Sequence, residues 1–127
     1  MVPDNVRKWL ERVEYDLQTA EAMHAAGRYI YVVFMCQQAI EKCFKALILR
    51  HGGHVFPIHN LRRLAEESGL QFDEGRLLRL DFLSQYYINA RYKEDIAELS
   101  KGVTKEITAD FLAFSKEMIE WLMRETK

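Results

Sequence analysis

Apolar residues return along this chain in steps of three and four, and no segment alternates apolar with polar residues as a strand would. From about Asp4 to Ala26, Val6, Leu10, Val13, Leu17 and Ala20 fall on one line, the mark of a helix with a single apolar face. From about Arg28 to His51 the pattern changes. Tyr29 through Cys36 is almost wholly apolar, and only then do Gln37, Gln38, Glu41, Lys42 and Lys45 interrupt it. A helix apolar on all sides is buried on all sides, so this segment is expected at the centre, with a second subunit as a further surface to cover it. A short helix is expected from Leu61 to Ser68, with Asn60 as its N-cap. A longer one, from about Glu74 to Tyr92, places Leu77, Leu80, Leu83, Tyr87 and Ala90 on one stripe. Another, from about Thr104 to Arg124, does the same with Ile107, Phe111, Phe114, Met118 and Leu122, and Thr104 is its candidate cap.

Glycine and proline punctuate these segments. Pro3 and Gly27 flank the first, Gly52, Gly53 and Pro57 follow the second, Gly69 and Gly75 mark a third break and Gly102 the last. These are the residues most costly inside helices, so their confinement to boundaries supports long uninterrupted helices. The expected fold is all-α: an antiparallel up-and-down bundle of four long helices plus one short helix. A chain of 127 residues suits a single domain spanning 1–127.

Charge and cysteine content narrow the partners. The net charge of −1 offers no global attraction to nucleic acid or lipid, so an anionic partner must be held by a local patch. Cys36 and Cys43 lie seven apart in the second helical segment, which separates them by about 10 Å along a helix axis. That is too far for a disulfide and fits free thiols in a reducing cytoplasm. The N-terminus lacks the basic and apolar regions of a secretory signal. The apolar run from Tyr29 to Cys36 is too short to span a bilayer, so no membrane partner is expected.

Several polar residues could carry chemistry. Gln38, Glu41, Lys42 and Lys45 cluster along one side of the second helix. On spacing alone a solvated face with a weak Glu41–Lys45 pair accounts for them; the alternative is a polar site on an otherwise buried helix. Between Lys42 and Ala65 there is no acidic residue, while Lys42, Lys45, Arg50, Arg62 and Arg63 are basic. A phosphate would be drawn there, although basic residues at a helix end also complement its dipole. His51, His54 and His59 share the window, at no standard zinc spacing, and read as turn and cap residues, not metal ligands. Arg91 follows Tyr87 by four and Leu83 by eight, which continues an apolar stripe; a cation there needs a partner such as Glu41 or an anionic ligand. Tyr86, Tyr87 and Tyr92 could stack on a base, or serve as core aromatics. No phosphate loop, dinucleotide fingerprint or nucleophile elbow is present.

These blocks resemble a family. Trp9-Leu10, Tyr15-Asp16-Leu17, Gly27-Arg28-Tyr29 and the run Phe34-Met35-Cys36-Gln37-Gln38-Ala39-Ile40-Glu41-Lys42-Cys43-Phe44-Lys45-Ala46-Leu47 are similar to the first two helices of HEPN domains (higher eukaryotes and prokaryotes nucleotide-binding). Pro57-Ile58-His59-Asn60-Leu61 resembles that family's His-Asp-Leu turn, and Tyr87-Ile88-Asn89-Ala90-Arg91-Tyr92 its Tyr-x-x-Ala-Arg-Tyr segment. The resemblance implies a helical bundle, commonly a homodimer, often encoded beside a small nucleotidyltransferase, with nucleotide binding proposed for the domain. It marks Gln38, Glu41, Lys42, Lys45, His59, Arg91 and Tyr92 as ligand-binding residues, with no metal and no cofactor beyond a nucleotide ligand.

The departures matter. Lys93 stands where the family often has proline. One branch of the family consists of metal-independent ribonucleases in which four to six residues separate an arginine from the histidine that follows it. No arginine here has such a histidine; Arg50 comes closest, with His54 after three intervening residues. The expectation is therefore a non-catalytic, dimeric module that binds a nucleotide or RNA phosphate and partners a separate minimal nucleotidyltransferase. The alternatives are a toxin-like ribonuclease with an atypical site, as in toxin–antitoxin pairs, and a structural dimer that masks the nucleotidyltransferase.

Overall fold

The computed structural model describes residues 2–54, 59–92 and 96–126. Helices α1 (Asp4–Ala25), α2 (Tyr29–Arg50), α3 (Leu61–Glu67), α4 (Glu74–Tyr92), α5 (Ile96–Gly102) and α6 (Lys105–Thr126) follow in order, and the described residues contain no strand. The four long helices and the short α3 stand where periodicity predicts them. Helix α5 is an addition. Its seven residues are too few to display a period, and burial of Leu99 and, just beyond it, Val103 is what anchors it.

Direction follows from a few tie points. The connection between α1 and α2 is short, so the two run antiparallel. The His51 ring meets the Glu125 carbonyl at 3.2 Å, which brings the ends of α2 and α6 together and sets these two parallel. At the other end His24 meets the Lys105 carbonyl at 3.1 Å, so α1 opposes α6. Arg76 lies over Trp121 at 4.3 Å, near the start of α4 and the end of α6. Taking α1, α2, α4 and α6 in turn, the chain alternates up and down.

Helix α2 is the hub. It packs against α1, α3, α4, α5 and α6, but it is not buried on all sides as its apolar start predicts: Val32, Val33, Cys36, Ile40, Phe44 and Leu47 share one face, while Tyr31 is exposed and Phe34, Met35, Gln38, Glu41 and Lys42 are only partly buried. Val13 and Ala20 of α1 and Phe114, Met118 and Leu122 of α6 share its core, and Val6 of α1 is buried as well. Helix α4 reaches α6 through large side chains: Tyr86 meets Phe111 edge-on at 5.2 Å, and Arg79 lies 4.7 Å over the Phe114 ring. Both cysteines are free and buried. Burial pushes the Cys36 thiol up to about 11 and Cys43 up to about 12, because desolvation disfavours the thiolate.

The caps follow the sequence. Asn60 Oδ1 accepts from the Arg63 N–H at 2.9 Å, and Thr104 Oγ1 from the Ile107 N–H at 3.2 Å. Helix α1 ends on Gly27, whose φ of +75° lets the Arg28 N–H reach the Met23 carbonyl at 2.8 Å and its own N–H that of His24 at 3.1 Å. This paired closure satisfies two carbonyls at the helix end. No helix among the described residues is long and apolar enough to cross a membrane.

Candidate functional site

The polar residues of α2 leave the hub helix by two openings. Gln38 and Lys42, one turn apart, face α1. Glu41 and Lys45, also one turn apart, face the approach to α3. The single ridge expected from spacing is thus two pairs on adjoining sides.

At the α3 opening, Lys45 Nζ donates to Glu41 Oε2 at 3.0 Å. Glu41 in turn meets His59 Nδ1 through both carboxylate oxygens at 3.1 Å. The side chains of Lys45 and Glu41 are only 8% and 13% exposed, against 63% for His59. The weak solvated pair is therefore replaced by a buried one, capped by a surface imidazole. Gln37, which spacing did not single out, completes the attachment: it is fully buried, and its Nε2 donates to the His59 carbonyl at 2.9 Å. Its signal in the sequence was its place four residues before Glu41. Gln37 Oε1 is buried without a hydrogen-bond partner.

At the α1 opening, Lys42 Nζ donates to Asp16 Oδ2 at 2.5 Å. This pair too is largely buried and forms the floor of a groove of about 410 Å³ lined by Glu11, Arg12, Tyr15, Asp16, Gln38 and Lys42. Asp16 and Arg12 stand one turn apart on α1, a spacing that could have marked them beside Lys42.

Arg91 requires a correction. It is exposed, not set in the apolar stripe, and its Nη1 donates to Tyr87 Oη at 3.4 Å. Tyr87 is itself half-buried, so four residues further on lies the stripe's edge, not its centre. Glu41 is engaged by Lys45 and His59. Tyr87 also meets Phe34 edge-on at 5.5 Å, and Phe34 meets the exposed Tyr31 at 5.7 Å. Tyr92 closes α4, but its side chain lies outside the described residues, as do Pro57, Ile58 and Lys93.

The basic window between Lys42 and Ala65 is largely neutralised in space. Besides the Lys42 and Lys45 pairs, Arg62 is held by Asp81 at 2.7 Å and Glu74 at 3.2 Å, and Arg63 by Glu67 at 3.3 Å. Its partners come from outside the window, α1 and α4 included, so the local absence of acid overstated the positive field. Among the described residues no group of histidine, cysteine and carboxylate side chains is placed to hold a metal ion.

An all-helical bundle with a hub helix that keeps paired charges in its buried sides is the class that this geometry defines. The chain belongs to the HEPN domain family, which matches residues 6–126. Its fold is similar to the crystal structure of TT1696 from Thermus thermophilus, at a TM-score of 0.84 and 20% identity over 97% of this chain and 99% of that one. It is also similar to ST0689, described as an archaeal HEPN homologue, at a TM-score of 0.77 and 22% identity over 96% and 98% of the two chains. No curated protein matches.

Proposed function

We propose that this chain is a dimeric binding module for a phosphate-bearing ligand, a nucleotide or RNA, and works beside a separate minimal nucleotidyltransferase. One observation carries the reading: two ion pairs, Glu41–Lys45 and Asp16–Lys42, are buried on the hub helix. Buried ion pairs seldom stabilise a fold more than apolar residues of the same volume would. Their presence on the helix that carries much of the core favours recognition over stability. Arg91, exposed at the end of α4, and the outward imidazole of His59 add donors suited to phosphate. Gln38 and Tyr92 complete the set, the first as an amide, the second as a ring for a base.

Titration of the protein with fluorescent ATP and with a short labelled RNA tests this. Saturable binding weakened by Arg91→Ala or His59→Ala supports it. No saturable binding of either probe overturns it.

The Glu41–His59 contact favours a second reading, an RNA-cleaving enzyme. Donation from Nδ1 to a carboxylate fixes the tautomer and leaves Nε2 to move a proton at a ribose hydroxyl. Metal-free cleavage of RNA that is lost in His59→Ala supports this reading; RNA left intact after long incubation removes it.

A further inference from the structure

The groove between α1 and α2 has a composition that the fold does not require. Its floor is the Asp16–Lys42 pair. Its rim carries Tyr15, 70% exposed, an area of ring that no neighbour covers. Glu11 is held by Arg7 at 2.7 Å, which also holds Asp4 at 3.1 Å, and Asp16 by Lys42, so the charges around the groove balance overall. Arg12 makes no ion pair with a carboxylate among the described residues, which leaves its guanidinium donors open beside an uncovered ring. Lys42 gives one of its three N–H donors to Asp16, so donors remain on the groove floor, and Gln38 adds an amide that both donates and accepts.

We propose that this groove binds a small planar ring carrying an oxyanion. The anion would sit on the Arg12 guanidinium, whose fork matches carboxylate or phosphate oxygens. The ring would lie against Tyr15, with Lys42 and Gln38 hydrogen-bonding the polar edge below. A volume of about 410 Å³ lies within the range of small-molecule sites. The inference rests on the ligand-binding reading above but assigns the ligand to the α1 side of α2, away from His59 and Arg91. Arg12 and Tyr15 belong to no part of that earlier set. The same chemistry has two sources, a phosphate monoester on a nucleoside and an aromatic carboxylate.

Isothermal titration of the full chain with adenosine 5′-monophosphate and, separately, with 4-hydroxybenzoate distinguishes them. Both replaced side chains are exposed, so the substitutions leave the fold intact. Expected is saturable binding of at least one probe, weakened about tenfold by Arg12→Ala and about threefold by Tyr15→Ala, and retained in Tyr15→Phe. Groove-dependent binding of 4-hydroxybenzoate alone supports the inference and assigns the groove to an aromatic carboxylate. Saturable binding insensitive to Arg12→Ala and Tyr15→Ala, but lost in Arg91→Ala, overturns the inference and leaves the wider reading standing. Absence of binding of both probes overturns the inference.

Discussion

Lys45 illustrates how a single residue changes meaning with its surroundings. On a solvated face its pair with Glu41 would be worth a few tenths of a kcal/mol. Buried as it is, its removal leaves the largely buried Glu41 carboxylate leaning on the surface imidazole of His59. Lys45→Ala should therefore lower unfolding stability by about 3 kcal/mol, and the double variant Glu41→Leu/Lys45→Met should recover most of that loss in urea denaturation. The cysteines give a second measurement. Their folded-state pKa values are raised, so above the ordinary value of 9.0 the unfolded chain loses thiol protons that the folded chain keeps. Stability is then intact below about pH 9 and falls as pH rises toward the folded value of about 11 for Cys36. By pH 11 Cys36 alone accounts for about 2 kcal/mol. Denaturant midpoints in Cys36→Ala should fall less steeply across this interval than in the parent. An equal slope would show that this thiol does not govern the alkaline limb.

Helix ends are where local sequence speaks most directly. The Asn60 cap was legible because a single side chain of the right type stands before an apolar run, and Asn60→Ala should cost about 1 kcal/mol. Gly27→Ala should cost a similar amount, since a Cβ there meets no neighbour and only the left-handed backbone opposes it. Thermal melts of the two variants check both values. The long helices were equally legible: in α1, α4 and α6 the apolar stripe repeats over about four turns, and α2 is marked by its apolar run between glycine boundaries. Helix α5 was not, because Leu99 and Val103 alone cannot establish one. The candidate site was legible only in part. Spacing located the polar residues of α2, but which side each one faces depends on Asp16, 26 residues before Lys42, and on His59, 18 after Glu41. Asp81, which neutralises Arg62, lies 19 residues beyond it. Charge pairing across that distance has no signature in a local window.

Taken whole, the bundle leaves apolar side chains uncovered on the outer side of α4. Leu78, Phe82 and Ile88 are all exposed, and a second subunit is what the proposed dimer would lay over such a surface. Sedimentation equilibrium should return twice the chain mass of 15.0 kDa, and Phe82→Glu should return that mass once with helicity unchanged. A wild-type monomer would remove the dimer from the proposal. The hub position of α2 has one more outcome, during synthesis. Its partner α6 starts at Lys105, while α2 itself is finished at Arg50. At ordinary rates of translation the ribosome spends several seconds on the residues between. Throughout that interval the nascent α1–α2 hairpin presents a bare hydrophobic flank to the surrounding fluid. Chains arrested before Phe111 should clump or recruit chaperones, whereas those released past Leu122 can seal themselves.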